Sequence, residues 1–420
     1  MKSEKLMEYI GQIDDNFIIE ADIHATKYKS IPSPWIKWVS VAAVAMICIM
    51  AAILFMSKNA APVDFSNLPK LSVNTEFDGM GFEGHMAYHI DELCDNNPWT
   101  EMNTLKTLPV FNNPRIGATI NGLSAEEMLA KAKEVANTLG LKVTTLDTET
   151  LGENYTAPYK ATVKCDGATI EVQNTGHIIL YLTPEMGDFT KEIEKLKGYD
   201  NFSIRFEYGS QTIDGTSYSN GLPLPHKYRF AFNNTSYEQA LEITQFLFSK
   251  YGAFSGIKSP GYNLFASYSY DGDLLRLNTT VFENTGKLTE RILGYHFNKV
   301  YFHASDMGGL GGISREKTDL SHKIGDYPII KATEARDLLL NDRYITTVPE
   351  EFPGEEYIAR VTLVYRTGWR DTIFMPYYKF FVEMPSMQQE NGLKTFGIFY
   401  VPAVKSEFLK NLPLWDGSFN

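Results

Sequence analysis

The chain has 420 residues and a formal charge of −12, from 39 Lys and Arg against 51 Asp and Glu. Such an acid excess argues against nucleic acid as a partner, because neutralising phosphates needs a basic face. Three cysteines are too few for a disulfide framework, although Cys94 and Cys165 could pair in an oxidising compartment.

Residues 3–27 read as helix, either one or two short pieces, since Gly11 interrupts the pattern and Asp14 could cap a second start. Leu6, Ile10, Ile13, Phe17 and Ala21 recur at three- and four-residue steps and form an apolar stripe. A helix this short is marginal alone in water, so the stripe needs a partner. A membrane-surface helix is rich in Lys and Arg on its polar face. Here Glu4, Glu8, Asp14, Asp15, Glu20 and Asp22 dominate. The five stripe residues are therefore the expected contact for a cytoplasmic protein. Pro32 and Pro34 end this segment (1–34).

Val39 to Ser57 carries no charge, proline or glycine over nineteen residues. As a helix it would cover roughly 28 Å, close to the hydrocarbon thickness of a bilayer. Trp35 and Trp38 lie where an interfacial aromatic belt belongs, and Lys37 and Lys58 flank the run. Residues 35–57 thus read as a single transmembrane helix rather than a cleaved signal peptide, whose apolar region is shorter. Lys27, Lys29 and Lys37 before the span, against Lys58 and Lys70 after it, favour a cytoplasmic N-terminus. The expected location is the cell membrane, in a single pass, with the C-terminal domains extracytoplasmic.

Residues 58–122 show weak periodicity and read as a stalk and loop-rich lead-in. His85 and His89 are four residues apart, a spacing that can place two metal ligands on one helical face. No third ligand is defined, and ordinary surface histidines are the expectation.

Beyond residue 122 a helix followed by a strand meander recurs in three stretches, 123–230, 231–325 and 326–420. Capping boxes Ser124-x-x-Glu127 and Ser236-x-x-Gln239 open helices to Leu139 and Tyr251, and a third helix runs from Thr333 to Asn341. Strands are expected at 142–146, 159–164, 169–173 and 178–182; at 262–270, 274–283 and 291–297; and at 357–367, 373–383 and 395–401. The predicted class is α+β: one N-terminal transmembrane helix, then tandem units in which a helix covers one face of an antiparallel sheet.

The chain has no Gly-x-Ser-x-Gly, Walker or His-Glu-x-x-His motif. Gly308 to Gly312 is expected to be a flexible loop, and Glu350 to Glu356 a solvated acidic turn. No catalytic residue, metal or cofactor is expected.

The opening Glu4-Lys5-Leu6, Ile10-Gly11-Gln12-Ile13-Asp14-Asp15 and Glu20-Ala21-Asp22, followed by a Lys/Trp-flanked span, resembles single-pass Firmicutes proteins of the anti-sigma-factor type. The last hundred residues, from Tyr327-Pro328-Ile329-Ile330 through Tyr377-Tyr378-Lys379-Phe380 to Tyr400-Val401-Pro402-Ala403, are similar to the outer domains of YycH/YycI regulators and to PepSY-type modules. The resemblance implies a non-enzymatic, membrane-anchored regulator, with sensing or docking domains outside. It also implies a cytoplasmic segment that binds a sigma factor or signalling protein. An envelope protein or ligand could be the external partner. An envelope scaffold, and after it an envelope hydrolase with a site assembled in the fold, are the alternatives.

Overall fold

The computed structural model describes residues 65–75, 84–93, 104–114, 122–150, 159–230, 235–368 and 371–419. The stripe residues Leu6, Ile10, Ile13, Phe17 and Ala21, the span 39–57 and Cys94 lie outside the described residues. Among the described residues no helix is long and apolar enough to cross a membrane. The chain divides into Met1–Phe65 and Ser66–Asn420, and the second of these carries the α+β fold.

Strands β1 (His85–Ala87) and β2 (Thr107–Asn112) precede helix α1 (Ala125–Leu139). The capping box is formed as expected: Ser124 N donates to Glu127 Oε2 at 2.8 Å, and Glu127 N to Ser124 Oγ at 3.2 Å. Gly140 closes the helix with φ 74°, a left-handed conformation that glycine adopts without a Cβ clash. Strands β3 (Val143–Thr150), β4 (Tyr159–Cys165), β5 (Ala168–Gln173) and β6 (Ile178–Leu182) follow, then α2 (Thr190–Glu194) and β7 (Asn201–Phe206). A hairpin of β8 (Ser210–Ile213) and β9 (Thr216–Ser219) leads to α3 (Tyr237–Tyr251), opened by the second capping box. Next come β10 (Pro260–Tyr268), β11 (Leu274–Glu283), α4 (Leu288–Phe297), β12 (Asn298–Ala304), β13 (Leu310–Lys317) and β14 (Lys323–Pro328). Helix α5 (Ala332–Leu339) and strands β15 (Ile345–Thr346), β16 (Ile358–Tyr365), β17 (Ile373–Phe374), β18 (Pro376–Glu383) and β19 (Lys394–Pro402) complete the chain.

Nine strands form one sheet in the order β10-β11-β12-β13-β7-β6-β5-β4-β3, so stretches 123–230 and 231–325 share a single sheet. All its ladders are antiparallel except β6–β7. Side chains alternate as a half-covered sheet requires. Val163, Ile170, Leu180, Ile204, Ile313 and Val300 are fully buried on one face, against Ala132 and Val135 of α1 and Leu247 of α3. Each such side chain contributes about 1.5–3 kcal/mol when removed from water.

Residues 291–297, expected as a strand, belong to helix α4 instead. Lys287 N donates to Glu290 Oε2 at 2.6 Å and opens the helix. The β-favouring Ile292, Tyr295 and Phe297 masked this start, because tertiary packing overrides local propensity. Helix α4 lies on the opposite face of the sheet, over β10 and β11. Tyr295 meets Phe282 edge-on at 5.0 Å and accepts from Asn263 Nδ2 at 3.3 Å. Gly294 permits the contact: a Cβ there would stand 2.0 Å from the Glu283 carbonyl oxygen. Ile292 and Phe297 point into a second core, with Leu363, Tyr365 and Phe374.

That core lies between α5 and a sheet ordered β1-β19-β18-β16, with β15 also on β19, beside a three-stranded sheet β14-β2-β17. Two strands thus come from the segment read as stalk. Leu108 and Val110 of β2 are fully buried, and β1 pairs His85 with Phe396. Their partners lie hundreds of residues away, so no local periodicity marks them. Residues 71–74 are held just as firmly. Val73 N donates to Asn411 Oδ1 at 2.8 Å, and Arg366 Nη1 donates to the Asn74 carbonyl at 2.8 Å. Arg366 also pairs with Asp371 at 3.4 Å, both buried, and stands 5.5 Å from the Tyr377 ring centre.

Two outcomes test this packing. In an exposed helix Gly→Ala is stabilising by about 1 kcal/mol. Here Gly294→Ala must overpack the α4–β11 contact and lower the thermal midpoint, by the equivalent of roughly 1–3 kcal/mol; a raised midpoint would contradict the close approach. The second concerns His296, whose Nε2 accepts from Tyr365 N at 3.4 Å. Burial, with Lys299 and Lys379 adding, holds its imidazole well below the ordinary 6.5. The ring therefore stays neutral in the fold where the unfolded chain takes up a proton. Above about pH 6.5 this has no effect; below it, stability falls by up to about 1.4 kcal/mol per pH unit. Midpoints of His296→Gln should fall less steeply than wild type between pH 6.5 and 5, and equal slopes would refute the assignment.

Candidate functional site

Helix α4 covers its face of the nine-stranded sheet over β10 and β11; from β12 to β3 the side chains of that face are, among the described residues, half-buried or exposed apart from Gly312. Its side chains fall in cross-strand rows. One row reads Tyr301, Ser314, Ser203, Ile179 across β12, β13, β7 and β6; the next reads His303, Gly312, Arg205, Tyr181. Small residues at the centre of both rows stand between large ones and leave a recess of about 450 Å³. Its volume lies in the range of small-molecule sites, about 300–1,000 Å³.

Gly312 makes the floor of the recess. A Cβ at this position would stand 2.5 Å from the Ile204 carbonyl oxygen. The glycine-rich run expected as a flexible loop is thus the packed start of β13. Gly309 N donates to Ser305 Oγ at 2.9 Å, and Leu310 is fully buried and pairs with Leu222. Glycine serves close backbone approach here, not mobility.

Hydrogen bonds cross the recess in a line. His303 Nε2 and Ser314 Oγ are 3.0 Å apart, the Ser314 and Ser203 hydroxyls 3.1 Å, and Ser203 Oγ and His177 Nε2 3.2 Å. The rings of Tyr301 and His303 lie within 14° of parallel at 6.3 Å, and Tyr301 OH donates to Glu316 Oε2 at 3.2 Å. Arg205, His303 and Asp306 are exposed at the rim, and the two serines are half-buried. Asp306 Oδ2 accepts from Ser219 N at 2.8 Å, which ties the β8–β9 hairpin to the rim. Beyond His177 lies a second recess of about 450 Å³, where Lys131 Nζ donates to the Gly176 carbonyl at 3.0 Å. Burial pushes the Lys131 ammonium below its ordinary value.

Behind the recess, Arg315 fixes β13 from the covered side. Its side chain is buried and donates to Asn298 Oδ1 at 2.7 Å and to the Ser255 carbonyl at 2.9 Å. Burial lowers the guanidinium to about 10, so it remains a cation at neutral pH.

The His303–Ser314 pair has the spacing of a nucleophile and its base. Ser314, however, sits mid-strand with ladder partners on both sides, Tyr301 and Ser203, so its neighbouring amides are engaged in the sheet. An oxyanion would need such N–H groups directed at it.

The other singled-out residues lie elsewhere. His85 is on β1 and His89 precedes a short 3-10 turn, so they do not share a helical face. Glu355 of the acidic turn pairs with Arg336 of α5 at 2.8 Å. Cys165 lies on β4, its thiol raised by burial and by Asp166. Of the recess residues, only Gly311 and Gly312 were singled out from the sequence, as part of the glycine-rich run and not as a site. Ser203 and Ser314 are 111 positions apart, and only the β7–β13 pairing unites them. Outward polar residues in Asn201–Phe206 and Leu310–Lys317 were the available signal. No family model, curated protein or solved structure matches the chain.

Proposed function

We propose that the protein is a membrane-anchored regulator, similar in plan to anti-sigma factors. Residues 66–420 act as an extracytoplasmic binding body, the span 39–57 anchors it, and Leu6, Ile10, Ile13, Phe17 and Ala21 hold a cytoplasmic sigma factor or signalling protein. The observation that carries this reading is the form of the recess. It is a wide depression on an open sheet face, on central strands whose amides are occupied by their neighbours. Such a surface suits reversible binding better than turnover. The uncharged run and the acidic amphipathic segment before it supply the route by which external binding would reach the cytoplasm.

The cytoplasmic contact is tested on the full chain. Replacing Ile13 and Phe17 with Asp removes two apolar contacts worth about 1.5–3 kcal/mol each. Partner affinity should fall at least roughly a hundredfold. The double variant is expected to insert in the membrane normally, lose its cytoplasmic partner in a pull-down and alter expression of the regulated genes. Recovery of the same proteins by both forms, with the same transcripts, would leave an envelope scaffold as the better reading.

A further inference from the structure

The geometry points to a neutral, hydroxyl-rich ligand of the saccharide class in the recess of Ser203, Arg205, His303, Asp306, Gly312 and Ser314; this rests on the binding role proposed above and names its ligand. The side chains decide the class. Among the described lining residues Arg205 is the one permanent cation and Asp306 the one carboxylate. A polyanion would face Asp306 and a chain of formal charge −12, and a metal cation would face the Arg205 guanidinium.

What remains is a lining that both donates and accepts. The guanidinium only donates, the carboxylate only accepts, and the serines and imidazoles do either. A hydroxyl group also does both, so neighbouring hydroxyls on a sugar ring can satisfy guanidinium, hydroxyl and carboxylate together. The parallel rings of Tyr301 and His303 stand beside the floor. The floor spans β12, β13 and β7, two interstrand steps or roughly 10 Å, the scale of a short oligosaccharide. Gly312 keeps the floor low enough for a ring to reach the serine hydroxyls, because any larger residue there would collide with Ile204.

The test uses the full chain in detergent micelles on an array of neutral and anionic oligosaccharides, followed by calorimetric titration with the best neutral one. The wild type should be retained on neutral oligosaccharides and competed off by the same free sugar. Arg205→Ala and Ser314→Ala should each weaken binding tenfold or more at an unchanged thermal midpoint. Lys164→Gln, on the same sheet face but outside the recess, should bind as wild type. Retention only on anionic sugars, no retention, or equal affinity of wild type and both recess variants would overturn the assignment. The cytoplasmic pull-down does not involve the recess. An intact pull-down with a negative array therefore removes the ligand class alone, and the converse removes the regulatory reading alone.

Discussion

The pairing of β7 with β13 is the constraint on which the rest of the body depends. Without it, β7 would leave one edge on the sheet β3–β7 and β13 another on β10–β13, each a row of unpaired amides and carbonyls. Joined through Gly312–Arg205 to Glu316–Asn201, the two edges become the centre of one nine-stranded sheet. The join makes local contacts on both faces. Gly312 permits the approach to Ile204, Ser203 and Ser314 meet on the open face, and Arg315 is tied to Ser255 and Asn298 on the covered one. The same ladder therefore closes the sheet and creates the recess.

The two faces of that sheet differ in chemistry. The covered face is apolar and helix-bound; the open face holds hydroxyls, imidazoles and ion pairs such as Lys160 with Glu149 and Glu171, at 3.2 and 3.0 Å. Polar exchange on the open face disturbs little of the buried core. At the β10–β11 end the open face is instead sealed by α4, which hands Ile292 and Phe297 to the C-terminal core. Helix α4 thus links the nine-stranded sheet to the C-terminal core, and its close approach at Gly294 leaves no room for a side chain.

What could be read in the sequence was local. The two capping boxes, the Gly140 stop and strands β4, β5, β6 and β11 follow from nearest-neighbour chemistry. What could not be read was non-local. Strands β1 and β2 find partners far along the chain, and residues 291–297 combine strand-like composition with a helical environment. The glycines of 308–312 look mobile until the strand they press against is known. The recess belongs wholly to this second kind, since its hydroxyl pair exists only after two strands from separate stretches have met.

Amide hydrogen exchange of the full chain in rising denaturant reports most directly on this central join. If β7 and β13 fuse the sheet, amides of 159–206 and 260–317 should share the highest protection and lose it together, as one cooperative unit. Loss of protection across 159–206 at a denaturant concentration where 260–317 stays protected would contradict the account, since it would mean two sheets that fold apart.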